Sequence, residues 1–297
     1  MGWWGETETR CMGRFCLDVP KAMSCGGGYG MQGVALEEVI WPEPREGAFQ
    51  HAWKERLRQI ADLASDRAYP GDIAGTVVEQ RSFREGFNGI YYLPEVEQEG
   101  KWTGLLDLGR SGLWFDGAEL VKRKDRLTSS IAAIGVAYRL RKPGEVWPVP
   151  GVDYFYLDDG LVALSYGGRE HSFTKLDGLD LNLTIESRSV AEAEEQTLMQ
   201  GVGKMFQAAV GMGASDIPAP AKHGSRVVAG MRGEELLLRS QAEGKLYFQW
   251  LFRGEPDSGK HPRIEIEMEA HTEGDKEKKA RELWDALLDS MRPAAGR

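Results

Sequence analysis

Two runs, Lys245-Leu-Tyr-Phe-Gln-Trp-Leu-Phe-Arg253 and Arg263-Ile-Glu-Ile-Glu-Met-Glu-Ala270, decide how this chain of 297 residues is read. Successive side chains of a strand point to opposite faces. Leu246, Phe248, Trp250 and Phe252 therefore share one face, as do Ile264, Ile266 and Met268, which lie opposite Glu265, Glu267 and Glu269. The pair predicts an antiparallel hairpin with one buried face and one wet face. From Asp275 the apolar spacing becomes helical. Ala280, Leu283, Trp284, Leu287, Leu288 and Met291 form one stripe, which Pro293 ends.

The same grammar extends upstream. A helix is expected over about 188–209, with Val190, Leu198, Val202, Met205, Phe206 and Ala209 on its apolar side, then a connector from Gly211 to Gly224. Strands are expected near 153–157, 160–166, 179–186, 226–231 and 233–241. In the first half, strands near 11–19 and 32–40 lead to a helix of about 47–65. Its stripe is Phe49, Trp53, Leu57, Ile60 and Ala64. Strands near 74–83, 87–95, 101–109 and 112–116 and a helix near 118–138 follow.

Each half thus reads strands, helix, strands, helix, which predicts an α+β protein of two similar modules. Each module is an antiparallel sheet with helices packed against it. Lys142-Pro-Gly-Glu-Val-Trp-Pro-Val-Pro150 is the linker, because three prolines and a glycine prevent regular structure. The expected domains are 1–147 and 148–297.

Composition narrows the function. Hydrophobic residues make up 41% and charged residues 28%, a globular balance that can bury real cores. No segment approaches the roughly 20 apolar residues that cross a bilayer, so no membrane insertion is expected. The net charge of −9 argues against nucleic acid and anionic membrane surfaces. Residues 1–147 hold 19 Lys and Arg against 21 Asp and Glu, and residues 148–297 hold 18 against 25, so the acidity lies mainly in the second half.

Several near-motifs dissolve on inspection. Gly254-Glu-Pro-Asp-Ser-Gly-Lys260 matches the opening of a phosphate-binding loop, but His261 stands where Ser or Thr should hold magnesium. Pro262 and the alternating run then demand a strand, not the helix whose N-terminus would cradle phosphate. Gly26-Gly-Gly-Tyr-Gly30 lacks the dinucleotide-binding spacing. No G-x-S-x-G or H-E-x-x-H is present. His51, His171, His223, His261 and His271 never fall at i, i+4, so no metal site is expected, and no cofactor. Asp158 and Asp159 could form an acidic pair, but neighbours in extended chain point apart, and Gly160 marks a turn.

Cys11, Cys16 and Cys25 fit no zinc spacing. If Cys11 and Cys16 share one strand, their odd separation points them apart, so they do not pair there. Cys16 with Cys25 across a turn is possible, and so are three buried thiols. Trp53, Trp250 and Trp284 fall on core faces, whereas Trp41, Trp114 and Trp147 lie at element ends or in the linker. There an aromatic either packs or anchors a partner.

Four segments then become familiar: Cys11-Met-Gly-Arg-Phe-Cys-Leu-Asp-Val-Pro20, Pro150-Gly-Val-Asp-Tyr-Phe-Tyr-Leu-Asp-Asp-Gly160, Val228-Ala-Gly-Met-Arg-Gly-Glu-Glu-Leu-Leu237 and Glu282-Leu-Trp-Asp-Ala-Leu-Leu-Asp-Ser-Met-Arg-Pro293. In these the chain resembles the immunity proteins that protect bacteria against class-four phospholipase effectors of the type VI secretion system. The resemblance implies a non-enzymatic, two-domain protein of the periplasm that clamps its cognate lipase between the domains as a 1:1 complex. Two departures accompany it. No basic-then-apolar export signal is visible at the start, so the periplasmic assignment takes it as removed. Tyr156 stands where the family motif often has a cysteine, which leaves any disulfide to Cys11 or Cys16 open.

Partner contacts are expected at loops, namely Asp158, Asp159, Arg253, Glu255, Asp257 and Lys260. The rival readings are a small hydrolase with an interdomain acidic site and a periplasmic carrier of a small apolar ligand.

Overall fold

The computed structural model describes residues 2–67, 71–95, 98–150, 153–192, 197–201 and 218–295. In chain order the strands are β1 (Thr7–Met12), β2 (Phe15–Pro20), β3 (Ser24–Met31), β4 (Val34–Ile40), β5 (Thr76–Arg84), β6 (Phe87–Leu93), β7 (Glu99–Asp107), β8 (Ser111–Leu120), β9 (Tyr138–Leu140), β10 (Phe155–Tyr156), β11 (Gly160–Val162), β12 (His171–Gly178), β13 (Leu181–Arg188), β14 (Ala219–Val228), β15 (Met231–Ser240), β16 (Lys245–Phe252), β17 (Arg263–His271) and β18 (Arg292–Pro293). The longer described helices are α1 (Ala48–Ser65), α2 (Lys124–Ala137, entered through a 3-10 turn at Val121–Arg123) and α3 (Lys276–Ser290).

The chain forms two compact units. The first comprises Met1–Gly27, Pro143–Asp158 and Gly168–Arg297, and the second comprises Gly28–Lys142 and Asp159–Gly167. The division is not the contiguous one expected at 147/148. Residues up to Gly27 cluster with the C-terminal half because the opening strands find their partners there.

In the first unit the sheet runs β14-β15-β16-β17-β13-β12, with antiparallel pairing throughout. The expected hairpin is its centre, with Phe248 opposite Met268 and Trp250 opposite Ile266. Alternation does what the sequence requires. Leu246, Phe248, Trp250, Ile264, Ile266 and Met268 are buried, while Glu267 is exposed. Helix α3 packs on β17 and β2. Trp284 lies against Phe248 with ring centroids 5.4 Å apart. On the opposite face Leu198 covers Leu236, Leu238 and Leu251.

The second unit has the order β3-β4-β8-β7-β6-β5. Its central strands β6, β7 and β8 carry large apolar residues on both faces, and each face meets a helix. Leu105, Trp114, Ile90 and Tyr92 meet Phe49, Trp53 and Leu57 of α1. The intervening Trp102 donates its Nε1–H to Thr128 of α2 at 2.9 Å. Trp53 stacks on Trp114 at 6.3 Å, and Arg56 lies 4.5 Å from the Trp114 ring.

Several expectations are corrected. The single strand near 11–19 is a hairpin, β1-β2, turning at Gly13 with φ +54°. Cys11 and Cys16 consequently lie on different strands, directly opposite each other, and form a disulfide with Cα atoms 4.0 Å apart. Spacing along one strand does not apply to them. Cys25 is a free thiol. The segment entering the expected helix of 188–209 is extended, since β13 reaches Arg188 and Val190 bridges to Pro256. Residues 198–201 are helical, and the remainder of that helix lies outside the described residues. The connector expected to Gly224 is strand from Ala219 on. The helix expected from 118 starts at Lys124, because Ala118, Glu119 and Leu120 are still paired with β7. Trp41, Trp114 and Trp147 are all buried, so they pack rather than await a partner.

Candidate partner-binding surface

The hairpin loop after β16 is built by glycine and closed by its own backbone. Gly254 has φ +86°, and a Cβ there would stand 2.6 Å from the Arg263 nitrogen, so only glycine lets the two arms approach. The Glu255 N–H donates to the His261 carbonyl at 2.8 Å, and the Asp257 N–H to the Val190 carbonyl at 2.9 Å. The His261 N–H donates to Ser258 Oγ at 2.9 Å, and its ring Nδ1 lies 2.7 Å from Glu255 Oε2. Three of the segment's amides are thus committed to protein acceptors, and a strand follows where a phosphate loop needs a helix. The reading of this segment as a hairpin loop holds.

Four of the expected contact residues belong to this one structure. Arg253 is ion-paired with Glu234 of β15. Glu255, Asp257 and Lys260 are exposed, with Asp257 held at φ +50°. The arrangement is a pre-shaped projection carrying both signs of charge, which suits recognition by a complementary surface.

Asp158 and Asp159 are exposed but belong to different units. Asp158 Oδ1 lies 4.0 Å from the Cys25 sulfur. Burial, and then the Asp158 charge, push the Cys25 thiol up from its ordinary pKa. In the second unit the Asp159 N–H donates to Glu38 Oε2 at 2.8 Å, and its carbonyl accepts from the Arg141 N–H at 2.8 Å. The Tyr138 hydroxyl also donates to Glu38. Asp158 and Asp159 lie in a bend, but Gly160 is not the positive-φ turn glycine that was expected: it opens β11, and a Cβ there would stand 2.1 Å from the Tyr138 hydroxyl.

Sequence reasoning missed the most heavily buried ion pair among the described residues. Arg14, at the turn of β1-β2, donates from Nε and Nη2 to the two carboxylate oxygens of Glu170 at 2.7 and 2.6 Å. Its Nη1 lies 2.8 Å from Asp153 Oδ1. Arg14 and Glu170 are 6% and 7% exposed, so both charges have left water. Burial pushes the Glu170 carboxyl up, and Arg14 only partly offsets it. Burial alone would lower the Arg14 guanidinium, but Glu170 and Asp153 together hold it above its ordinary value. The partners are 156 residues apart, and nothing in the local pattern marks either one.

A second network fastens α3 to β14. Arg226 bonds Asp285 Oδ1 at 2.5 Å and Asp289 Oδ1 at 2.6 Å, and lies 3.4 Å from Glu235. Glu235 accepts from Trp284 Nε1 at 2.9 Å and from Lys222 at 2.8 Å. Burial alone would raise the Glu235 carboxyl, but Lys222, Trp284 and Arg226 outweigh it and hold it below its usual range.

Among the described residues no group of three or more His, Cys, Asp or Glu could hold a metal. No described helix is long and apolar enough to cross a membrane. A pocket of about 250 Å³ in the second unit is lined by Trp41, Arg45, Glu46, Phe49, Gln50 and Asp107. Its walls are largely polar, unlike a site for an apolar ligand.

Residues 160–296 match the family profile described as the Tle cognate immunity protein 4 C-terminal domain. No curated protein matches the chain by sequence. Among solved structures, the chain is similar to the immunity protein TplEi of the type VI secretion system of Pseudomonas aeruginosa in its apo form. That match has a TM-score of 0.77 and 20% identity, and covers 98% of each chain. It is similar, with TM-score 0.77 and 19% identity over 98% of each chain, to a protein in the crystal structure of the Tle4–Tli4 complex. TplEi complexed with an "L" peptide matches at TM-score 0.72 and 18% identity, covering 98% of this chain and 99% of that one. The resemblance read from the four segments is borne out: residues 160–296 match the profile of the Tle cognate immunity protein 4 C-terminal domain, and the chain shares the fold of solved type VI immunity proteins.

Proposed function

We propose that the chain is a periplasmic immunity protein that binds a cognate type VI secreted lipase of the Tle4 class, one to one, and blocks it without catalysing anything itself. The family match over residues 160–296 carries this reading. It is supported by the fold shared with a protein solved in complex with Tle4 and with another solved with a peptide. The Cys11–Cys16 disulfide fits an oxidising compartment.

Within the first unit, the contact is assigned to the loop that carries Arg253, Glu255, Asp257 and Lys260. Its internal hydrogen bonds fix its shape before binding, so little ordering entropy is lost on contact. The exposed carboxylates of Asp158 and Asp159 are further contact candidates. Mixing the purified protein with a Tle4-type lipase, and following both association and lipid hydrolysis, tests the function. Hydrolysis should fall to zero at one equivalent. Tight binding that leaves hydrolysis unchanged would end the inhibitor reading. Reversing one charge in the loop (Lys260→Glu, a change of two units) should shift the association rate by about tenfold, the scale of steering effects. An unchanged association rate would remove the loop from the interface.

A further inference from the structure

We propose that the Cys11–Cys16 disulfide is a redox latch: it braces the turn by which the N-terminal hairpin grips the segments near 153–156, 170–172 and 294, so the first unit is fully assembled only when oxidised. The latch rests on geometry. Only its setting, oxidation after export, rests on the function proposed above.

The sulfurs belong to residues that face each other across β1-β2, and only Met12, Gly13, Arg14 and Phe15 lie between them. Nearly every polar group of that turn reaches far along the chain. Gly13 exchanges two backbone hydrogen bonds with Tyr156, both 2.8 Å. A Cβ on Gly13 would stand 2.6 Å from Ser172 Oγ, so the turn sits hard against β12. The Arg14 guanidinium holds Glu170 and Asp153. The Arg14 carbonyl accepts the Ala294 N–H at 2.8 Å. Segments near 153–156, 170–172 and 294 therefore converge on a turn whose own hydrogen bonding comes from two strands of six residues each.

The covalent step is simple. Two thiols each give up a proton and an electron as the sulfur–sulfur bond forms. The electron pair reduces the disulfide of a thiol–disulfide oxidoreductase, which leaves as a dithiol. Cys25 does not compete for this bond: it is half-buried beside Asp158, and its raised thiol pKa keeps the nucleophilic thiolate scarce.

The loop closed is short, so the effect is local. Loop-closure entropy for a ring of this size biases the turn towards its closed form by roughly 40-fold. Hydrogen–deuterium exchange on the protein alone reads this directly, comparing the oxidised chain with its dithiol form and with Cys11→Ser/Cys16→Ser. The amides of Gly13, Tyr156 and Ala294 should exchange roughly 40-fold faster in both altered forms, while amides of β7 and β8 in the second unit keep their protection. Unchanged protection at those three amides would overturn the latch. So would equal loss everywhere, or a Ser variant that no longer folds, since either makes the bond a global staple. A lipase-binding assay on the same samples keeps the two readings apart. A latch seen by exchange in a protein that binds no Tle4-type lipase refutes the function and leaves the latch standing.

Discussion

Replacing Arg14 by Met should be the most damaging single change to charge in the first unit. Arg14 and Glu170 are 6% and 7% exposed and share two hydrogen bonds. Removing the guanidinium leaves a carboxylate away from water without its bidentate partner, which costs about 3–5 kcal/mol. For a unit of this size that lowers Tm by roughly 6–20 °C. The pH dependence has a definite sign. The Glu170 pKa is raised in the folded state, so its contribution is present at low pH and lost as pH rises through the folded value. Without Arg14 the value climbs further, and protonation relieves the buried charge. The stability difference between wild type and Arg14→Met should therefore shrink on acidification from pH 7 towards pH 4. Denaturant titrations at several pH values measure it directly. The double variant Arg14→Met/Glu170→Met, which removes both charges and keeps apolar volume, should recover much of the loss. A single variant within about 1 kcal/mol of wild type, or a difference independent of pH, would refute the argument.

Three other outcomes follow from the same physics. Glu235→Gln should flatten the acid limb of stability, because the Glu235 pKa is lowered in the fold and its contribution is lost as pH falls through that value; acid denaturation followed by circular dichroism checks it. Trp284→Ala should cost about 3–5 kcal/mol, since it removes a buried ring from Phe248 and strips Glu235 of an N–H donor; urea midpoints measure it. Gly254→Ala should cost about 1–3 kcal/mol, because φ +86° and a Cβ 2.6 Å from backbone leave no unstrained placement; calorimetry would show it.

What could be read in advance follows from whether a residue's partners are local. The β16-β17 hairpin and the stripe of α3 were legible because period and burial agree residue by residue. Strand β12 escaped because two of its three inward residues, Ser172 and Thr174, are polar, so its alternation carries no hydrophobic signal. The disulfide leaves no such trace, because Gly13 makes a turn inside a run that reads as one strand, and a single positive φ changes which faces the cysteines share. That residues 254–262 form a hairpin loop was legible from Pro262 and the alternating run after it. Its internal bracing through Val190 was not, since that contact joins residues far apart in sequence. The Arg14–Glu170 pair had no local trace at all.

The placement of residues up to Gly27 in the first unit has a consequence for the order of events during synthesis. The second unit is nearly continuous, Gly28–Lys142, and most of it can condense as soon as it is made. The hairpin that precedes it cannot finish: Asp18 meets Arg292 only 274 residues later. At translation rates of about 5–20 residues per second that is a wait of roughly 15–55 s. Throughout it the earliest part of the chain must stay unclaimed while a whole neighbouring unit forms behind it. Cys11 and Cys16, five residues apart, need nothing else of the chain in order to pair, so an oxidising compartment can close their turn before the hairpin is seated.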